Sequence, residues 1–182
     1  MTIHACSVLI AMQALLLPAA AQAPQPPSLS PCSIPEMRQL DFWLGSWNVF
    51  DTAKGYQVGT SNIERVVDGC GIAEAYDAPK APGGAYSGKS YSAFDRRDGK
   101  WHQFYVDTGA AAMWYSGELQ GADLALVASV TGGKLTSMTY RPLEGGAVEQ
   151  IGIISSDDGK TWVPSYDYTY RRKNAPTGTT QK

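Results

Sequence analysis

Histidine is scarce in this sequence, and charge of either sign is low and balanced. The 182 residues include two histidines, with 15 Lys and Arg against 17 Asp and Glu. Nucleic-acid-binding proteins carry a basic stripe for the phosphates, so this balance argues against a nucleic-acid partner. A chain with so little histidine has few ways to build a multi-imidazole metal site, and we expect no metal and no other resident cofactor.

Long apolar runs are absent except near the start of the chain. The first 23 residues hold no Lys, Arg, Asp or Glu and end in the small-x-small triplet Ala21-Gln22-Ala23, which is typical of a secretory signal peptide. An uncleaved membrane helix is the alternative, but Pro18 interrupts the run before the roughly 20 residues that a span needs. We therefore expect residues 1–23 to be a signal peptide and the protein to be periplasmic or secreted, without a membrane span.

Cysteine is also rare. Of the three cysteines, Cys6 belongs to the expected signal peptide, which leaves Cys32 and Cys70. An even pair in an exported chain predicts one disulfide, with two buried free thiols as the alternative.

The rest of the chain indicates one domain between two polar segments. Residues 24–35 are rich in Pro and Ser and predict a flexible tether, whereas residues 173–182 predict a disordered tail. Residues 36–172 are long enough for a single domain with a core of its own. At its start, residues 35–40 can form a short helical turn with Pro35 in the first position.

Beyond Trp47 the pattern is that of β-strands, and no helical pattern of about a dozen residues occurs. Strands are expected near residues 46–52, 59–67, 71–77, 89–95, 101–107, 113–119, 124–130, 135–141, 148–155 and 162–171. Tight-turn dipeptides such as Asp68-Gly69 and Gly145-Gly146 separate them, so neighbouring strands should be antiparallel. The expected fold is all-β, an antiparallel meander of about ten strands closed into a barrel with room for one small ligand.

The aromatic segment from Asp41 to Trp47 organises this expected barrel. We predict that Trp47 closes its floor, with the last strand lying beside the first. Period-two counting then selects Arg172, rather than Arg171, to stack on the indole as a cation–π lid. The alternative is that Trp47 is a core residue without such a partner.

Several motifs resemble a known family. They are residues 42–47, 68–74, 88–90, 101–107 and 156–162. Over residues 32–172 the chain resembles the DUF1579-like family of exported bacterial proteins of unknown function, which is similar to the calycin superfamily of lipocalins and fatty-acid-binding proteins. The resemblance implies a calycin-like barrel and, by analogy, small-ligand binding, but no reaction. Two positions depart from the family pattern. Ser137 stands where arginine is usual, and in the ninth strand Glu149-Gln150 followed by Ile153 replaces the usual Arg-Gln followed by a carboxylate.

A candidate ligand site follows from the alternation of side chains. In the fifth expected strand Trp101, Gln103, Tyr105 and Asp107 share one face. Further candidates on other strands are Glu74, Tyr76, Ser90, Arg141 and Gln150. We predict that these groups point into the barrel and bind a small, mainly apolar molecule with a polar handle. A register slip of one residue would turn all of them outward.

Two other functions remain open. Glu74 and Asp107 in a partly dry cavity would have separated pKa values and act as acid and base in a small-molecule enzyme such as a cyclase, isomerase or hydrolase. Their structural alternative is pairing with Arg141, Ser90 or a tyrosine hydroxyl. A barrel filled by side chains would instead be a partner-binding or assembly module, with the tyrosine-rich last strand as its interface.

His102 could in principle bind haem iron, and residues 83–90 match a phosphate-loop motif. The neighbouring sequence argues against both sites. A lone histidine can hold haem iron, but His102 falls on the face opposite the expected cavity. Residues 83–90 match the G-x-x-x-x-G-K-S phosphate loop, which needs a strand before it and a helix after it. Prolines precede this segment and an alternating strand follows, so we expect a mobile loop at the barrel mouth.

Overall fold

The protein is a closed barrel of ten antiparallel strands in meander order, as a computed structural model of residues 30–130 and 134–173 shows. The strands are β1 (Gly45–Asp51), β2 (Gln57–Val66), β3 (Gly71–Ala78), β4 (Tyr86–Asp95), β5 (Lys100–Asp107), β6 (Ala112–Gln120), β7 (Asp123–Val130), β8 (Lys134–Pro142), β9 (Val148–Ser155) and β10 (Val163–Arg172). Each pairs with its neighbours in sequence, and β1 pairs with β10. The predicted fold class is therefore confirmed, and every strand end lies within about three residues of its expected place because the turn dipeptides mark the boundaries.

Some expectations concern other parts of the chain. The proposed signal peptide, residues 24–29 of the tether and residues 174–182 of the tail lie outside the described residues, as do Gly132 and Gly133, a dipeptide expected to form a turn. No helix within the described ranges combines the length and apolar character that crossing a membrane requires.

Three short 3-10 turns precede β1 and cover one end of the barrel. They span Pro31–Ser33, Pro35–Arg38 and Asp41–Trp43, which confirms the expected helical turn. Leu40 and Trp43 are fully buried there, and the Trp43 ring lies 4.5 Å from the ring of Tyr140. The apolar side chains of these turns thus form a floor under the barrel interior.

Trp47 lies in this floor with the arginine that the alternation selects. It is fully buried and faces Arg172 across the β1–β10 pair. The Arg172 guanidinium carbon is 4.5 Å from the indole centroid, within cation–π range. Arg171 points to the other face and stacks on Phe50 at 4.6 Å. The prediction for Trp47 and Arg172 is confirmed.

A disulfide joins the N-terminal turns to the barrel. Cys32 is bonded to Cys70 in the β2–β3 connection, as predicted. Beside it, Arg38 donates hydrogen bonds to the carbonyl oxygens of Cys32 at 2.7 Å and Gly69 at 3.0 Å. These links hold the floor against the end of the barrel independently of its apolar packing.

Candidate functional site

The barrel interior contains a cavity of about 620 Å³ whose mouth lies at the end opposite Trp47. Lys54 and Tyr56 from the β1–β2 loop line the mouth, together with Lys80, Ala81 and Pro82 from the β3–β4 loop. Pockets that hold small molecules measure roughly 300–1,000 Å³, so this interior has room for one.

Tyrosine dominates the cavity wall. The chain has ten tyrosines, and all except Tyr91, which is 63% exposed on the outer face of β4, line the cavity. Two of their hydroxyls donate to methionine sulfur: Tyr140 to Met138 and Tyr115 to Met113, both at 3.4 Å. A tyrosine wall combines flat apolar area with polar edges, which suits an amphipathic guest.

Strand glycines leave the space that three of these rings occupy. The pairs are Tyr76 with Gly59, Tyr105 with Gly88 and Tyr166 with Gly152. A Cβ atom at any of the three glycines would come closer than 3.0 Å to the tyrosine side chain, so only glycine lets the ring lie against the wall. This packing helps to keep the interior open.

Gly88→Ala and Gly152→Ala should each destabilise the protein by about 1–3 kcal/mol, since the added methyl group overpacks against a tyrosine ring. Gly71→Ala is the matched control, because a Cβ there would meet only ordinary contacts at 3.4 Å. Urea unfolding measures the three free energies. Equal losses in all three variants would show that the rings do not depend on these glycines.

Glu74 is the acidic group deep in the cavity. Its side chain projects inward from β3, the residue is 6% exposed, and Ser61 and Ser90 donate hydrogen bonds to its two oxygens at 2.9 and 3.2 Å. Burial raises the pKa of this carboxyl from 4.5 to about 7, while the hydrogen bonds from Ser61 and Ser90 oppose the rise. Glu74 forms no ion pair with any Lys, Arg or His of the described residues.

Two buried glutamines orient tyrosines around this carboxyl. The Gln103 amide donates to Ser92 at 2.9 Å and to the Tyr140 hydroxyl at 3.2 Å. The Gln150 side-chain oxygen accepts from the Tyr170 hydroxyl at 2.8 Å. Satisfied polar networks of this kind hold side chains in single positions, so the lower part of the cavity is preorganised.

Asp107 has a different environment at the end of β5. Its carboxylate accepts hydrogen bonds from the Tyr86 hydroxyl at 3.0 Å and from the backbone N–H groups of Gly109 and Ala111 at 2.8 and 3.1 Å. It lines a second depression, of about 260 Å³, rather than the main cavity. Because Asp107 caps the β5–β6 turn and shares no hydrogen-bond partner with Glu74, the geometry does not join the two as an acid–base pair.

The predicted orientation of the site residues, with their side chains pointing into the barrel, is confirmed. Glu74, Tyr76, Gln103, Tyr105 and Gln150 all line the cavity. Two further candidates also point inward without lining it: Ser90 lies behind Glu74, and Trp101 belongs to the floor, where its indole N–H donates to the Gln39 side chain at 2.8 Å.

Arg141 is a correction to the predicted site. It lies on the outer face and contacts Asp123 at 2.8 Å and Glu149 at 3.0 Å. Its neighbour Tyr140 points inward, so the alternation along β8 directs Arg141 to solvent.

The last strand requires a second correction. Its tyrosines, Tyr166, Tyr168 and Tyr170, line the cavity instead of forming an outer interface. These three tyrosines were not predicted as site residues, and neither were Tyr86, Tyr115, Tyr140 and Ser61. Their spacing of two residues in β10 is the feature that would have placed all three on one face.

His102 lies outside the barrel, so haem binding inside through this residue is not supported. One ring nitrogen contacts Asp98 at 2.9 Å and the other contacts Ser116 at 2.8 Å. Ligand atoms of Asp95, Asp98 and His102 lie within 4.8 Å of one another, but Asp95 already pairs with Arg97, which lowers the pKa of Asp95 to about 2. Asp95 is therefore already neutralised by a cation of the chain itself.

The glycine-rich segment is not a phosphate loop. β4 begins at Tyr86, so a strand follows the glycines where a phosphate loop requires a helix. The β3–β4 loop, which holds Lys80, Ala81 and Pro82, lies at the mouth as expected, whereas residues 86–90 belong to β4 rather than to the loop. Its mobility stays a prediction.

Comparisons with known proteins do not assign the chain to a family. No protein-family model matches the chain, and no curated protein matches it. The resemblance to the DUF1579-like family stays a prediction, and the function has to be argued from the site itself.

Proposed function

We propose that this protein binds one small, mainly apolar molecule with a polar group inside its barrel. The observation that carries the proposal is the open interior of about 620 Å³, lined by nine of the ten tyrosines. Such a wall supplies apolar contact area around the guest, and Glu74, Gln103 and Gln150 supply fixed polar groups at its depth. We further propose that the protein acts in the periplasm or outside the cell, where a disulfide such as Cys32–Cys70 persists.

The two alternative functions have less support. An acid–base enzyme would need Asp107 beside the substrate, but its oxygens hold the Tyr86 hydroxyl and the β5–β6 turn. A side-chain-filled assembly module does not match an interior of this volume. Ligand binding uses the cavity as it stands, without moving any of these groups.

Native mass spectrometry of the protein purified from its native periplasm tests the proposal. We expect a retained small-molecule adduct, and we expect compounds from an apolar-ligand library to raise the melting temperature, because a ligand that binds only the folded state stabilises it by about 2.7 kcal/mol at 100 times Kd. No adduct together with no hit in the thermal-shift screen would contradict the proposal.

A pair of tryptophan variants locates the binding. Met113→Trp fills part of the cavity and should abolish or strongly weaken the thermal shift. Val127→Trp adds the same ring on the outer face of β7, where Val127 is exposed, and should leave the shift unchanged. A shift that survives in Met113→Trp and is lost in Val127→Trp would place the ligand outside the barrel.

A further inference from the structure

The cavity contains a buried carboxyl group, Glu74, that forms an ion pair with no basic side chain of the described residues. Both oxygens of Glu74 accept bonds from neutral hydroxyls, Ser61 from β2 and Ser90 from β4. No lysine, arginine or histidine in the described part of the chain pairs with this carboxyl. A buried carboxylate is costly unless a cation approaches it, so the site leaves a positive partner to be supplied from outside the chain.

The walls around Glu74 also favour a cation. A tyrosine ring attracts a positive charge over its face within about 6 Å of the centroid, and an amine with a flat apolar body would use both the faces and the area of such rings. Burial raises the pKa of the neighbouring Tyr76, Tyr140 and Tyr170 hydroxyls, so these tyrosines stay neutral and add no negative charge of their own.

Within the described ranges, the positive side chains that line the cavity are Lys54 and Lys80, both at its mouth. Lys54 contacts Asp51 at 3.5 Å and lies over the Tyr56 ring at 5.8 Å, and Lys80 belongs to the β3–β4 loop. An anionic ligand group placed deep in the cavity would therefore meet Glu74 and no counter-ion. The deep polar handle of the ligand should be a donor with positive charge.

We infer that the ligand is a primary or secondary amine on an aromatic or similarly flat apolar body, bound with its ammonium group at the carboxylate of Glu74. This inference rests on the proposed function and specifies the ligand class that the same cavity takes. It assigns to Glu74 the role of counter-ion, in place of the role of general acid or base.

Affinity for such an amine should rise between pH 6 and pH 8. The amine keeps its proton over this range, whereas Glu74 changes from mostly neutral to mostly ionised around a pKa of about 7. Among the described residues, the titratable neighbours of Glu74 on the surrounding strands are tyrosines whose pKa values burial raises, so they stay neutral over this range: Tyr76 on β3, Tyr105 on β5, Tyr140 on β8, and Tyr166 and Tyr170 on β10.

Three probes with one aromatic body test the inference. They are 1-naphthylmethylamine, 1-naphthalenemethanol and 1-naphthoate, measured by isothermal titration calorimetry with the full chain. At pH 8 we expect the amine to bind at least about 10-fold more tightly than the alcohol, and the anion to bind most weakly. At pH 6 the advantage of the amine over the alcohol should shrink several-fold.

Glu74→Gln separates charge from shape. The amide has the same shape without the charge, so amine binding should weaken about 10-fold or more while alcohol binding stays within about 3-fold. Glu64→Gln, on the exposed outer face of β2, should change neither.

The negative results separate the ligand class inferred here from the proposed function. Binding of the alcohol or the anion as tightly as the amine, or an amine preference that survives in Glu74→Gln, overturns the inference and leaves the proposed function in place. Failure of the amine to bind, while library compounds do, has the same meaning. Failure of all three probes and of the whole library overturns both.

Discussion

Replacing Glu74 with glutamine should make the protein about 3 kcal/mol more stable at pH 8 and leave its stability nearly unchanged at pH 4. The cause is the pKa of the carboxyl, 4.5 when unfolded and about 7 in the buried site. Below pH 4.5 the group is protonated in both states. Between pH 4.5 and 7 only the folded state keeps the proton, so stability falls as pH rises, and above pH 7 the loss is complete. Glutamine never ionises and escapes this loss.

Urea unfolding from pH 4 to pH 8 measures the effect. The difference in unfolding free energy between Glu74→Gln and wild type should grow across pH 4.5 to 7 and then level off. Glu64→Gln removes an exposed carboxylate from the outer face of β2 and should change stability by less than about 0.5 kcal/mol at every pH. A difference for Glu74→Gln that does not vary with pH would mean that the buried carboxyl is not destabilised by ionisation.

Trp47→Ala should cost about 3–5 kcal/mol, the loss expected for a fully buried tryptophan. The indole fills the floor, donates its N–H to the Trp43 carbonyl oxygen at 2.9 Å and supports the Arg172 guanidinium. Its removal therefore leaves a cavity, an unpaired carbonyl and an arginine without its ring.

Trp114→Ala is the matched control for the floor. Trp114 is 70% exposed on the outer face of β6 and stacks on Phe104 with ring centroids 4.3 Å apart. Its loss should cost less than about 1 kcal/mol. Similar losses for the two variants in urea unfolding would contradict the role given to Trp47.

The barrel could be predicted because its determinants are local. Turn dipeptides and short alternating runs mark where strands end, and a meander of antiparallel hairpins leaves β1 and β10 as the two edges to pair. That pairing then sets Trp47 opposite Arg172, so period-two counting was sufficient to select Arg172 over Arg171.

The cavity could be predicted only in part because it depends on contacts between strands. Whether Tyr105 lies flat against the wall depends on Gly88 in the neighbouring strand, a diagonal contact that single-strand patterns do not contain. The three tyrosines of β10 share a face, yet alternation alone does not distinguish inward from outward. Asp107 follows the inward phase but lies at a strand end, where its carboxylate caps the following turn.

A crystal structure of the protein soaked with 1-naphthylmethylamine at pH 8 tests the central claim, an open tyrosine-lined barrel with Glu74 at its depth. We predict the naphthyl ring inside the cavity, with the amine nitrogen about 3 Å from a carboxylate oxygen of Glu74. Tyrosine rings that meet across the interior and leave no room for the probe, or a probe bound only on the outer surface, would contradict it.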